Sequence, residues 1–231
     1  TGGGKTYFLL TIIEALLQTN AELYILDPKN ADLADLGTVM PNVYHTKEEM
    51  IDCVNTFYDG MVARSEEMKQ HPNYKTGENY AYLGLPPCFL IFDEYVAFFE
   101  MLATKESMSL LSQLKKIVML GRQAGYFLIV ACQRPDAKYF SDGIRDNFNF
   151  RVGLGRISEL GYGMLFGSDV KKQFFQKRIK GRGYCDVGTS VISEFYTPLV
   201  PKGHDFLHTI GRLAEQRQAV PEQQEKENER L

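Results

Sequence analysis

The chain has 231 residues, 44% hydrophobic and 24% charged, with 26 Lys and Arg against 29 Asp and Glu and a formal charge of −3. A chain of this length buries roughly 70–75% of its unfolded surface and forms one core without disulfide staples. The pI near 5.9 excludes nucleic-acid binding through bulk positive charge, no run reaches the ~20 apolar residues of a membrane span, and the dispersed Cys53, Cys88, Cys132 and Cys185 argue against a metal site or disulfide framework and for a reducing compartment.

In chain order, the opening TGGGKT comes without an initiator Met and reads as a piece of a longer chain. Thr6 to Gln18 carries Phe8, Leu9, Ile12, Ile13, Leu16 and Leu17 at helical spacing, and AELYILD then predicts a short buried strand ending at Asp27. Lys47 to Gln70 predicts a long amphipathic helix with Met50, Val54, Phe57, Met61 and Met68 on one side, followed by a Tyr-rich polar loop closed by Pro86-Pro87. CFLIFDEY is a continuous apolar run ending in two acids, as in a parallel strand covered on both faces. A helix from about Met108 to Ala124 precedes YFLIVACQRP, a second buried strand with a polar end, and further strands are predicted within 149–155 and 183–196. The alternation predicts a three-layer α/β domain with a mostly parallel central sheet and a ligand site at the strand C-termini. Residues 1–214 form the domain, and 215–231, with five Glu against two Arg and one Lys, is expected to be a solvated, frayed tail.

Thr1, Gly2, Gly3, Gly4, Lys5 and Thr6 supply the last six positions of the phosphate loop G-x-x-x-x-G-K-[ST], running directly into a helix. Glycines let backbone N–H groups face phosphates, and the helix N-terminus adds its dipole. Lys5 reaches the β- and γ-phosphates, and the Thr6 hydroxyl takes a Mg²⁺ position. Asp93 is delivered by its strand to the same Mg²⁺ shell, and Glu94 can orient or deprotonate an attacking water. Gln133 ends the next strand and can sit near Glu94 as a sensor of hydrolysis. A Gly-rich turn, ordinary strand-end acids and a loop-bonded amide are the bland readings of these residues, and their conjunction is what favours a nucleotide site. Arg122, in GRQAG, ends a helix at the opposite sheet edge and suits an arginine reaching a neighbouring subunit's nucleotide, although a surface arginine at a helix C-terminus needs no function.

Lys171 to Arg182 holds six basic residues and no acid, interleaved with Phe174 and Phe175, so Lys171, Lys172, Lys177 and Arg178 are candidates for DNA contact, with a solvated face as the plain alternative. Residues 136–145, which leave the sheet beside Gln133, are the other candidate stretch for DNA contact, with Lys138 and Arg145 its only positive charges. His204 and His208 share an i, i+4 spacing, but no nearby Cys or paired carboxylate supports a metal site.

These motifs resemble the FtsK/SpoIIIE division of the HerA/FtsK motor ATPases: TGGGKT, Asp27-Pro28-Lys29, LIFDEY, GRQAG, ACQRP and RDNFNFRVGLG stand in the family's order over nearly the whole chain before the tail. DPKNADLADL, GLGRISELGYGMLFG and GRGYCDVGTSVISEFYTPLVPKGHDF are most similar to the coupling ATPases of Gram-positive integrative and conjugative elements. The resemblance implies a RecA-like P-loop NTPase, assembled as a homo-hexameric ring, that hydrolyses ATP with Mg²⁺ and draws DNA through its channel. It assigns Lys5 and Thr6 to Walker A, Asp93 and Glu94 to Walker B, Gln133 to the sensor, and Arg122, then Arg151, to the arginine finger. It also implies relaxase and transfer machinery as partners, and a cytoplasmic domain anchored by upstream membrane helices, with no direct membrane contact from this segment. Two departures from the family's pattern shape the expectation: the given sequence starts within the P-loop, after its first Gly and the strand before it, and a winged-helix domain that reads chromosomal polarity is not expected after the motor. Weak ATP binding by this chain alone is therefore expected. The leading expectation is a DNA-transfer motor of a mobile element. The alternatives are a type VII secretion-like protein-export ATPase, a chromosome-partitioning DNA translocase and a non-hydrolysing interaction module.

Overall fold

The computed structural model describes residues 2–134, 138–139, 142–168, 170, 172–175, 179–189 and 191–228. Its centre is a four-stranded, wholly parallel sheet in the order β2-β1-β3-β4, formed by β1 (Glu22–Leu26), β2 (Val43–Tyr44), β3 (Cys88–Phe92) and β4 (Tyr126–Val130). Side chains alternate between the faces of a strand, and the two faces carry separate cores. Leu23, Ile25 and Ile91 pack against Leu10 and Ile13 of α1 (Lys5–Leu17) and Ile210 and Ala214 of α7 (Phe206–Asn228). Leu26, Leu90 and Phe92 pack on the other side against α2 (Lys47–Gln70) and α4 (Thr104–Ala124) through Met50, Val54, Phe57, Leu110, Leu114 and Ile117. Each such side chain removed fully from water contributes about 1.5–3 kcal/mol before conformational entropy is counted. The three-layer α/β reading of the sequence is the observed architecture.

The start of α2 coincides with the predicted one because its signal is local: Thr46 accepts a hydrogen bond from the Glu49 N–H, and the Glu49 carboxylate accepts one from the Thr46 N–H. The later strands depart from a single sheet. β5 (Arg151–Leu154), β6 (Arg182–Asp186) and β7 (Ser193–Tyr196) form a separate antiparallel sheet in that order. The short link from β6 to β7 suits antiparallel pairing, whereas a parallel neighbour needs a crossover of about a dozen residues or more. With α6 (Glu159–Phe166), this sheet encloses a small core of its own, in which the Tyr162 and Phe174 rings stack 4.0 Å apart beside the buried Tyr184.

The segment from Glu215, expected to be a frayed tail, continues α7 as helix to Asn228. Upstream packing nucleates it: Ile210 and Ala214 are buried, the Arg217 guanidinium donates to the Ala21 carbonyl at 2.6 Å, and the Gln- and Glu-rich continuation has good helix propensity. His204 precedes α7, so it shares no helical face with His208; its Nε2 lies 2.9 Å from Glu14 Oε2.

Candidate nucleotide site

The parallel register aligns the strand ends. Leu26 pairs with Phe92 and Phe92 with Val130, so the residues that follow, Asp27, Asp93 and Ala131, share one sheet edge. The Asp93 N–H donates to Leu26 O at 3.0 Å and the Ala131 N–H to Phe92 O at 2.9 Å, which prolongs the ladder beyond the strands. At this edge stands the N-terminus of α1, whose Ncap residue Gly4 has φ 95° and offers no side-chain cap, and whose first turn holds no acid. The first-turn N–H groups and the positive end of the helix dipole are thus left for an external anion.

Gly3 and Gly4 are required sterically as well as conformationally. A Cβ on Gly3 would lie 2.8 Å from the Leu154 carbonyl oxygen, and one on Gly4 would lie 2.9 Å from the Gly181 nitrogen. The Gly181 N–H donates to Gly3 O at 2.9 Å. The antiparallel sheet therefore braces the loop from one side through backbone contacts that any side chain would break.

Asp93 and Glu94 are both buried, and each meets Lys5. The Lys5 ammonium contacts Asp93 directly and lies 3.3 Å from Glu94 Oε2. Lys29 Nζ approaches the same Glu94 oxygen at 3.3 Å, while the Gln133 N–H donates to Oε1 at 3.0 Å. Burial alone would raise the Glu94 carboxyl, but the Gln133 N–H, then Lys5 and Lys29, outweigh it and hold the carboxyl below the ordinary glutamate value. For Lys5, burial pulls the pKa down, and Asp93 and Glu94 together raise it. Glu94 takes this place at φ 61°, ψ 57°, a left-handed conformation costing a non-glycine residue on the order of 1–3 kcal/mol. This backbone turns the chain from β3 into α3 (Tyr95–Glu100) with the carboxylate held among its three partners.

Asp27, buried at 1% exposure, builds the neighbouring wall. Its carboxylate accepts N–H bonds from Lys29, Ala31 and Ala34 at 3.1, 2.9 and 3.1 Å, folding the loop that carries Lys29. Neither Lys29 nor the anchoring by Asp27 was assigned a role from sequence. The available signal was a strand-ending acid followed by Pro-Lys, but the partner of Lys29 is 65 residues away.

Uncapped helix N–H groups and a nearby lysine suit a phosphate chain. The oxygen donors of Thr6 and Asp93 suit Mg²⁺, a hard cation. Gln133 does reach Glu94, though through its backbone N–H while the residue is exposed. Arg122 is exposed in the last turn of α4, just before the N-terminal end of β4 and so at the sheet edge opposite the site. Arg151 is engaged within the chain: its guanidinium lies 2.5 Å from Asp186 Oδ2 and 3.5 Å from Asp146 Oδ1, at 14% side-chain exposure. Arg145 reaches the same Asp146 oxygen at 3.2 Å and donates to Gly163 O at 3.5 Å. Lys172 is exposed but donates to Ile192 O at 2.5 Å. Lys138 lies over the ring of Tyr139, which is itself buried and stacked on Phe99. Thr1, Lys171, Lys177 and Arg178 lie outside the described residues.

No family model matches the chain. It is 60% identical, over 91% of its length, to the FtsK domain-containing protein YdcQ of Bacillus subtilis (strain 168), and 26% identical over 85% to the ESX secretion system protein YukB of the same organism. It spans 44% of YdcQ and 14% of YukB. Among solved structures, the pCW3 conjugation coupling protein TcpA, in monomer form with ATPγS, superposes at a TM-score of 0.72 with 19% identity, over 92% of this chain and 62% of TcpA. The cytoplasmic domain of the Thermomonospora curvata type VII secretion ATPase EccC gives 0.65 and 20%, over 93% of this chain and 27% of EccC. These two likenesses establish the RecA-like P-loop fold, and among the described residues no helix is long and apolar enough to cross a membrane. On this fold, with a glycine-rich loop entering α1, paired acids ending β3 and close identity to YdcQ, the chain belongs to the FtsK/SpoIIIE-type ATPase domains.

Proposed function

We propose that this domain hydrolyses ATP at the edge formed by Lys5, Asp93 and Glu94 and spends the energy on moving DNA, as the motor of a coupling protein that transfers a mobile element. The observation that carries the reading is the convergence of Lys5, Asp93, Glu94 and the Gln133 N–H at the uncapped start of α1. In this reading Lys5 leaves its carboxylate partners to hold the β- and γ-phosphates. Thr6 and Asp93 hold Mg²⁺, which when bound neutralises charge on the phosphates. Glu94, kept ionised by its partners, accepts a proton from the attacking water, and Gln133 links that carboxylate to the end of β4.

Arg122 is the proposed finger for a neighbouring subunit's nucleotide in a homo-hexameric ring. Met119 and Leu120, 60% and 62% exposed in the adjoining turn of α4, give that surface an apolar character suited to a subunit contact. Arg151 is the weaker finger, since reaching a neighbour would break its pairing with Asp186. Lys138, Arg145 and the basic stretch from Lys171 are the proposed DNA contacts. Relaxase and transfer machinery are the proposed partners, and attachment to the membrane would come from other parts of the protein.

Likeness to TcpA supports the conjugative reading, while likeness to YukB and EccC supports a second one, protein export. Steady-state ATP hydrolysis with duplex DNA, single-stranded DNA or a secretion-signal peptide separates them. Several-fold stimulation by DNA is expected. Stimulation by the peptide alone would transfer the assignment to export.

A further inference from the structure

The last turn of α4, which carries Arg122, is braced from several directions. A Cβ on Gly121 would overlap the Tyr126 carbonyl oxygen, and Gly125, the C-cap at φ 79°, would set one 2.5 Å from the Tyr80 ring. Gln123 Nε2 donates to Glu78 O at 3.4 Å, and the Cys88 N–H donates to Gly125 O at 2.7 Å. Arg64 of α2 reaches into the same turn: its Nη1 donates to Pro86 O at 2.6 Å and to Ala124 O at 3.4 Å. Its guanidinium also lies 4.8 Å from the centroid of the Tyr126 ring. Gly60, one turn earlier on α2, leaves room for that ring, since a Cβ there would lie 2.9 Å from the Tyr126 hydroxyl.

Both acceptors of Arg64 are main-chain carbonyls, one just before β3 and the other on the last residue of α4, two positions after Arg122. A cation here meets the negative end of the α4 dipole and binds a carbonyl that the helix itself leaves unpaired. Its planar guanidinium can bond and lie over an aromatic ring at once, which a lysine ammonium does less well. Arg122 is exposed, so the direction in which it leaves the sheet edge is set by the backbone of this turn. We propose that Arg64 is a positioning residue for Arg122, pinning the end of α4 to the chain before β3 so that the Arg122 guanidinium is aimed at a neighbouring subunit's nucleotide. The inference rests on the reading of Arg122 as the finger. A misplacement of about 1 Å at such a group can cost on the order of 10²-fold in rate.

Steady-state turnover and Mg²⁺-ATP binding of the assembled full-length protein test it in the wild type, Arg64→Gln, Arg122→Ala and the double variant. Arg64→Gln should lower kcat about tenfold with KM and ATP affinity little changed. In the Arg122→Ala background the same substitution should lower the residual kcat no further, because its effect passes through that side chain. Arg64→Lys keeps the charge and should restore part of the loss; if Arg64→Gln does not fold, Arg64→Lys carries the same comparison with and without Arg122. Unchanged kcat with Arg122 present, or an equal loss in both backgrounds, would overturn the positioning role while leaving the finger intact. Unchanged kcat in Arg122→Ala would overturn the finger reading and the positioning role with it.

Discussion

Glu94 combines a strained backbone, burial and three partners, a combination that makes its position expensive and its orientation narrow. Lys5 and Lys29 both reach its Oε2, but they leave it on different terms. In the proposed reading Lys5 moves to the phosphates, so Lys5→Ala should abolish ATP binding in an equilibrium titration. Lys29 stands on the loop after β1 and can stay with Glu94 when Lys5 moves. Lys29→Ala should therefore lower kcat about tenfold with KM little changed, and Lys29→Arg should restore most of the loss; a change confined to KM would place Lys29 in substrate binding instead. The convergence of Lys5, Asp93 and Glu94 was legible in sequence because each belongs to a short motif with its own chemistry. Lys29 was not, since an ordinary surface lysine and a carboxylate partner differ only in tertiary placement. Arg151 is the reverse case: NFNFRVG offers a free-looking arginine, and Asp186, 35 residues on, already holds it.

At the scale of elements, Asp27 joins the end of β1 to the loop bearing Lys29, Asp32 and Asp35. Asp27→Ala would leave the Lys29, Ala31 and Ala34 N–H groups without the buried carboxylate that accepts them, costing about 3 kcal/mol, or a drop in Tm on the order of 6–12 °C for a chain of this size. Thermal unfolding checks this, and a loss under 2 °C would mean that water replaces the carboxylate. In the core between α4 and the sheet, Leu114→Ala should cost about 2–5 kcal/mol, because Leu114 has no exposure through which the cavity could hydrate. The buried strands and α2 were readable because apolar runs, helical spacing and the Thr46–Glu49 box are local. The pairing of β5, β6 and β7 into their own sheet was not, since an isolated strand does not name its partner. The helical course of α7 past Glu215 depends on Ile210 and Ala214 docking against α1, which composition alone does not reveal.

For the whole molecule, the site faces one edge of the sheet while Arg122 faces the other, so a head-to-tail ring would bring Arg122 of one subunit toward the nucleotide of the next. Arg122→Ala should then suppress turnover in assembled rings without weakening nucleotide binding. Mixed with Glu94→Gln subunits, it should recover part of the activity, since some interfaces would pair an intact Glu94 with an intact Arg122. No recovery would argue against a role between subunits. A net charge of −3 is compatible with such a ring, because the contacts with DNA would be confined to a few lysines and arginines. The most direct measurement on the central claim compares Mg²⁺-ATP binding and turnover in the wild type and Glu94→Gln. Binding within threefold of wild type and turnover reduced by roughly 10²–10⁴ are expected for loss of a general base; unchanged turnover would contradict the assignment of hydrolysis to this site.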